Sequence, residues 1–223
     1  LFLHDALSIS CTFLVYVIIY NNINLYVLPN KWQLVLENLY VNIYNIVLEN
    51  VGKQGSKYYP LMLSLFIFIL IANLLGMIPY FFTLTSHVSI TFTLSYSIWI
   101  GVTIIGFTKH GLHFLNLFLP QGVPTYLAPL IVSIEVLSYF SRPISLGLRL
   151  AANMFAGHTL LFIISSFIWG AFTSDSIFIS IAGLIPTIFL FAFCGLELVI
   201  CFLQAYVFTV LSCSYLNDAL NLH

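Results

Sequence analysis

The sequence predicts an all-α polytopic membrane protein, and three observations support this fold class. Of the 223 residues, 61% are hydrophobic and 6% are charged, whereas the surface of a soluble domain is about 25–35% charged. The mean hydropathy is +1.07. Apolar runs continue for close to the roughly 20 residues that a bilayer-crossing helix needs. We therefore expect one membrane domain over residues 1–223, in three parts: residues 1–58, 59–125 and 126–223.

The N-terminal part combines a predicted span with a helix of a different kind. Residues 6–20 are apolar and predict the first span. Along residues 32–51, polar side chains recur at three- and four-residue spacing and leave an apolar face opposite. The polar members are Gln33, Glu37, Asn38, Asn42, Asn45, Glu49 and Asn50, and the apolar members are Leu34, Val35, Leu39, Ile43, Ile46 and Val47. We predict an interfacial amphipathic helix, because a span would bury two carboxylates without visible partners.

The middle part contains the plainest spans, residues 60–78 and 90–107, which carry no charged side chain. Residues 79–89 and 108–125 are predicted as the loops that follow them. His110 and His113 lie in the second loop with a spacing that could suit a metal ion. Because a glycine separates them and no third ligand is near, we predict an interfacial pair instead.

The last part contains two apolar segments that are too long for ordinary spans, residues 126–169 and 177–216. Forty residues of helix extend about 60 Å, twice the hydrocarbon thickness. Each segment is therefore either two crossings or one strongly tilted helix. Neither contains a polar loop near its middle, so we predict two long, strongly tilted helices.

The positive charges outside these segments predict an orientation. Lys31, Lys53, Lys57 and Lys109 fall in loops on one side of the predicted topology, whereas residues 79–89 and 170–176 contain no Lys or Arg. By the positive-inside rule, the lysine side faces the matrix, or the cytoplasm in a bacterium. The interfacial helix belongs to that side and the N-terminus to the opposite one.

Arg149 stands within the run SRPISLGLRLAANMFAGH, which is otherwise almost uniformly apolar. An arginine at the centre of a bilayer helix costs about 2.5–3.5 kcal/mol on insertion scales and stays protonated. It is either a functional charge or a helix-end arginine that snorkels to the interface. At about 100° per residue, Glu135 and Arg142 share its face, Asn153 lies about 40° away and His158 about 180° away.

The second long segment carries its own polar stripe, which consists of Glu197, Gln204 and Asp218. Glu197 and Asp218 are separated by about 31 Å along the helix axis, nearly a bilayer thickness. Gln204, like Asn153, is compatible with a simple interhelical hydrogen bond. Glu197 predicts a function, since a buried carboxylate without a role or partner is costly.

Three blocks of this part resemble the membrane-embedded a subunit, or subunit 6, of rotary ATP synthases. They are residues 134–149 (IEVLSYFSRPISLGLR), 150–158 (LAANMFAGH) and 196–218 (LELVICFLQAYVFTVLSCSYLND). The resemblance implies a multi-pass stator subunit of the mitochondrial inner membrane, or of a bacterial plasma membrane, in which the two long tilted helices pack as a hairpin. The implied partners are the rotor c-ring, peripheral-stalk and other stator membrane subunits, the lipid bilayer and protons. Independently of the resemblance, the amphipathic pattern of residues 32–51 predicts a platform between the first span and the rest of the chain and a contact for stator subunits.

The resemblance also implies roles for the polar residues. Protons would enter through one half-channel, neutralise a rotor carboxylate, travel with the ring and leave through a second half-channel. Arg149 would attract the ionised rotor carboxylate and block a direct proton leak. His158 and Glu197 would form one route, and Glu135 and Asp218 the other. Asn153 and Gln204 complete the predicted proton path.

The sequence also argues against other classes of function. It contains no phosphate-binding GxxxxGK[ST] loop, GxSxG elbow or HExxH motif, so we expect no enzyme activity from this chain alone and no cofactor. A net charge of −1 gives no basic patch for nucleic acid. The four cysteines lie in apolar runs, so neither a disulfide nor a metal site is expected: Cys11, Cys194, Cys201 and Cys213.

Three alternatives remain. A secondary transporter would show repeated halves with broken helices, and a non-conducting assembly subunit would lack intramembrane charge. A Na⁺-conducting homologue is compatible with this chain, since the ion is selected largely by the ring. Because the chain starts at Leu1 rather than Met, we also expect that residues were removed before it.

Overall fold

The computed structural model describes residues 31–78, 83–111, 113–114, 126–173 and 183–221. Within them, five α-helices follow one another and there is no strand: α1 (Lys31–Val51), α2 (Tyr59–Gly76), α3 (Val88–His110), α4 (Ala128–Phe172) and α5 (Leu184–Leu220). Short 3-10 helices at Lys53–Tyr58 and Leu84–Ser86 precede α2 and α3. The predicted all-α fold is confirmed. The predicted span at residues 6–20 lies outside the described residues.

Four of the described helices are long and apolar enough to cross a membrane, and they are the ones predicted to do so. They are Gly55–Gly76, Val88–His110, Pro129–Phe172 and Leu184–Leu220. α2 has Pro60 in its first turn, where the missing N–H of proline removes no hydrogen bond of the helix. α3 continues to His110, past its predicted end at residue 107, and Gly111 with φ 57° terminates it.

α4 and α5 are each continuous, which excludes two separate crossings within either segment. With 45 and 37 residues they extend about 67 and 55 Å, well beyond a hydrocarbon core of about 30 Å. Pro143 lies inside α4 without ending it. Its carbonyl oxygen accepts a hydrogen bond from the Ser95 hydroxyl of α3, so the neighbouring helix supports α4 at the proline.

The C-terminal half of α5 is the centre of the packing, because all four other helices contact it. One core cluster joins it to α1, α2, α3 and α4 and includes Val47, Met62, Val102, Tyr139 and Leu216. A second cluster continues along α2, α4 and α5 and includes Ile69, Leu146, Leu150, Ala205 and Phe208. Lys109 Nζ donates to the Leu220 carbonyl oxygen at 3.0 Å, and His110 Nε2 lies 3.1 Å from the same oxygen. These contacts fasten the end of α5 to α3.

α1 has the predicted polar and apolar faces, but part of its apolar face is covered by protein. Glu37, Asn42 and Glu49 are exposed, and α1 is not among the four helices that could span a membrane. Ile43 and Val47 are buried in the cluster with α2 and α5. The expectation that both residues insert at the headgroup boundary was therefore wrong, since periodicity identifies an apolar face without identifying what covers it.

Candidate functional site

Arg149 is exposed on α4, between the face that packs into the core and the face that does not. Leu148 and Phe155 lie on one flank of Arg149 and are exposed, whereas Leu146 and Leu150 lie on its other flank and are buried. The guanidinium forms no hydrogen bond or salt bridge with any described residue. A permanent charge on a bilayer-length helix requires compensation. This arrangement therefore favours a carboxylate partner supplied from outside the described chain.

Glu197 and His158 meet between α5 and α4. The closest approach is 4.0 Å, between His158 Nε2 and Glu197 Oε1. The glutamate side chain is 5% exposed and the histidine side chain 33%. Neither carboxylate oxygen of Glu197 has a hydrogen-bond partner among the described residues. The pair can therefore exchange a proton after a small approach or through one bridging water, since its oxygens have no competing protein donors.

Gly157 makes room for this carboxyl group. A Cβ atom at position 157 would lie 2.6 Å from Glu197 Oε1 and 3.0 Å from its Cδ, closer than van der Waals contact allows. Glycine is therefore required if Glu197 is to keep its place beside α4. This glycine lies in the block of residues 150–158, but its role was not predicted, because its partner is distant in sequence.

Asn73 of α2 joins the same region and was missed by the sequence analysis. Its side chain is fully buried; Nδ2 donates to the Cys201 carbonyl oxygen at 3.4 Å, while Oδ1 has no partner among the described residues. Cys201 is one helical turn beyond Glu197. A single asparagine within an otherwise apolar span was the signal that could have identified it. We call Asn73, His158 and Glu197 the carboxylate–imidazole cluster.

A second polar contact lies toward the other end of the hairpin. Arg142 Nη1 donates to Asp218 Oδ2 at 2.8 Å, and the two side chains are 23% and 39% exposed. The guanidinium also lies over the rings of Tyr139 and Tyr215, 5.7 and 5.4 Å from their centroids. Asp218 was predicted only as a proton carrier. Its ion pair with Arg142 was not foreseen, because the two residues are 76 positions apart.

The remaining predicted residues are distributed along the same hairpin. Glu135 is half-buried and forms no salt bridge with a described residue. Asn153 and Gln204 are also half-buried. The interhelical hydrogen bond considered for these two amides is not formed within the described part of the chain.

The two pairs lie at opposite ends of an antiparallel hairpin, with Arg149 between them. Asp218 and Glu197 are 21 residues apart on α5, or about 31 Å. On α4, Arg149 is about 10 Å along the axis from Arg142 and about 13 Å from His158. The structure thus contains an intramembrane arginine flanked by two separate titratable sites, an arrangement typical of proteins that move ions across membranes.

Comparison with known proteins agrees with this class. The family model described as ATP synthase A chain matches residues 5–217. ATP synthase subunit a of Brassica napus is 51% identical over 199 residues, which cover 87% of this chain and 76% of the relative. The Emericella nidulans protein of the same name is 49% identical over 198 residues, or 88% and 77% of the two chains. ATP synthase subunit a-2 of Arabidopsis thaliana is 51% identical over 199 residues, 87% of this chain and 57% of the relative.

The chain belongs to the ATP synthase A chain family. It is a proton-translocating component of the ATP synthase complex and not an enzyme by itself. The relatives come from plants and fungi, and four helices could span a membrane. The chain is accordingly a multi-pass protein of the mitochondrial inner membrane.

Proposed function

We propose that this chain is the stator subunit that conducts protons through two offset half-channels to and from the carboxylates of the rotor c-ring. The single observation that carries the proposal is the environment of Arg149. Its guanidinium is exposed and finds no carboxylate among the described residues. A rotor carboxylate that passes this side of α4 would supply the missing negative charge.

The carboxylate–imidazole cluster forms the first route in this proposal. A proton held on Glu197 Oε1 can pass to His158 Nε2 after a small approach or through one bridging water, because the two atoms are 4.0 Å apart. Asn73 borders this route, because its unpartnered Oδ1 can accept a hydrogen bond from a water molecule beside Glu197. The route then delivers protons toward the rotor surface on one side of Arg149.

Glu135 and Asp218 form the second route, toward the opposite end of the hairpin. Asp218 is held by Arg142, so its position is fixed while the charge of the pair is balanced. Glu135, which makes no ion pair with the described residues, is the better carrier of the two. We infer that Glu135 takes protons from the ring and that Asp218 holds water molecules at the entrance of the second route beside Glu135.

Arg149 separates the two routes. Its charge does not change at any working pH, so it attracts an ionised rotor carboxylate and repels protons that would pass directly between the routes. Asn153 and Gln204 provide polar groups on the two helices near this barrier. At about 150 mV, each proton carries about 3.5 kcal/mol, so a leak past the arginine wastes a substantial driving force.

Arg149→Ala tests the proposal in the intact ATP synthase. We expect ATP synthesis driven by a proton gradient to be abolished while the complex still assembles, because the side chain is exposed on α4 and forms no hydrogen bond or salt bridge with a described residue. Arg149→Lys should also fail or nearly fail, since an ammonium group can lose its proton and lacks the planar array of donors.

The matched control is Phe162→Ala, which removes another exposed side chain from α4. It should leave coupled synthesis close to the wild-type rate. Normal coupled synthesis in the assembled Arg149→Ala complex would refute the proposed role of the arginine.

A further inference from the structure

A groove between α2 and α3 lies on a part of the molecule that the proton path does not use. Its cavity volume is about 680 Å³, and Leu216 of α5 forms its floor. The wall residues are mainly apolar and include Leu61, Leu65 and Phe68 of α2 with Leu94, Ile98 and Ile105 of α3. Because both walls belong to helices that could span a membrane, the groove lies at the depth of the hydrocarbon core.

The two serines in the groove do not make it polar. The Ser64 hydroxyl donates to the Leu61 carbonyl oxygen at 2.8 Å, and the Ser97 hydroxyl donates to the Leu94 carbonyl oxygen at 2.7 Å. Both donors are therefore satisfied within their own helices. An occupant needs an apolar surface and gains nothing from hydrogen-bonding groups along this length.

The length of the groove distinguishes between possible occupants. On the α2 side it extends from Tyr58, immediately before α2, to Phe68, about 15 Å at 1.5 Å per residue. This is about half of the 30 Å hydrocarbon core. A spanning helix of a partner would need a surface that continues through the whole thickness. A lipid acyl chain from one leaflet needs only half of it.

Positive charge marks the end of the groove at which such a lipid would enter. Lys57 is exposed and lies one turn before the wall residue Leu61, and Lys109 is exposed one turn beyond Ile105. Lys57 forms no salt bridge with a described residue. Lys109 donates to the Leu220 carbonyl oxygen. The positive charge of Lys57 complements an anionic headgroup.

We propose that this groove binds one acyl chain of an anionic phospholipid from the leaflet at the lysine end, with the phosphate beside Lys57. Gly101 contributes to the volume of the groove: a Cβ atom there would meet nothing within 4 Å. The bound chain packs on Leu216 and joins α2 and α3 to the end of α5. The site goes beyond the proposed proton path and does not depend on it.

The test uses the intact ATP synthase in vesicles that contain a phospholipid with a photoreactive diazirine on its acyl chain. Phosphatidylglycerol and phosphatidylcholine versions serve as anionic and zwitterionic probes. We expect the anionic probe to label the wall segments of α2 and α3 in preference to the zwitterionic one. Lys57→Gln should lower labelling by the anionic probe about fivefold, since one lysine near a membrane surface contributes about 1 kcal/mol.

Gly101→Phe should fill the groove and remove labelling by both probes from these segments. Its control is Ile104→Phe, which puts the same side chain on the exposed surface of α3 outside the groove. Equal labelling of assembled Gly101→Phe and Ile104→Phe complexes would overturn the proposal. If Gly101→Phe does not assemble, undiminished anionic labelling of Lys57→Gln overturns it instead.

The Ser97→Cys variant tests whether a helix of another subunit, and not a lipid, occupies the groove. A short bifunctional cross-linker at Ser97→Cys should capture no other subunit if lipid fills the groove. Cross-linking to an apolar segment of another subunit would show that a protein helix lies there, and the lipid site would be refuted.

Discussion

Gly157→Ala is the sharpest test of the carboxylate–imidazole cluster. The new Cβ atom would lie 2.6 Å from Glu197 Oε1, so the carboxyl group must move by about 1 Å to reach ordinary contact. Such overpacking costs about 1–3 kcal/mol. If this free energy is added to the activation barrier of proton transfer, the rate of proton flow through the first route falls about 5- to 150-fold.

Proton flux is measured in vesicles that contain the assembled complex, by the quenching of a pH-sensitive dye. Gly170→Ala is the matched control, because it makes the same change in α4 where a Cβ atom meets nothing within 4 Å. Alanine is also the better helix former, so loss of flux in Gly157→Ala cannot arise from a weaker helix.

Shortening the carboxylate should partly reverse the defect. In Gly157→Ala with Glu197→Asp, the acid loses one methylene and retreats from the new methyl group, so flux should exceed that of Gly157→Ala alone. The reasoning is refuted if Gly157→Ala and Gly170→Ala conduct protons equally well.

Three further predictions concern the polar contacts of the hairpin. Asn73→Leu should slow proton flux about fivefold without preventing assembly, since it removes the Oδ1 acceptor for a water beside Glu197, a hydrogen bond worth about 1 kcal/mol; wild-type flux would exclude Asn73 from the route. Arg142→Gln should destabilise the complex by about 1 kcal/mol in thermal melting, a small value because the ion pair is partly exposed, and Asp218→Asn should cost less in the Arg142→Gln background than alone. Cysteines placed beside His158 should react with membrane-impermeant thiol reagents from one side and those beside Glu135 from the other; reactivity from a single side would refute two offset half-channels.

Much of the fold could be predicted because hydrocarbon allows few alternatives. Backbone polar groups in a bilayer must be paired within the segment, so a long apolar run must be a helix. α2 and α3 accordingly lie within a few residues of their predicted positions. The absence of a polar loop also predicted correctly that α4 and α5 are continuous. Helix ends were less predictable, because the end of α3 depends on the conformation of Gly111 and on contacts with Leu220.

The contacts of the polar groups could not be predicted from one segment at a time. Hydropathy singled out Arg149 and Glu197, since a charged group in an apolar run is costly wherever it packs. It did not reveal that Asn73 contacts Cys201 or that Arg142 holds Asp218. These contacts join residues that are 128 and 76 positions apart, and no periodicity within one helix encodes them.

By itself, then, the sequence determined an all-α membrane protein, its two long continuous helices and the presence of a permanent positive charge within the first of them. These properties follow from the free energy of transferring each segment from water into hydrocarbon. Only the tertiary structure decided that Gly157 makes room for Glu197, that Arg142 pairs with Asp218 and that Arg149 stays exposed. The physical reason is that a helix's sequence defines which faces are polar, whereas the packing of neighbouring helices defines what each polar face meets.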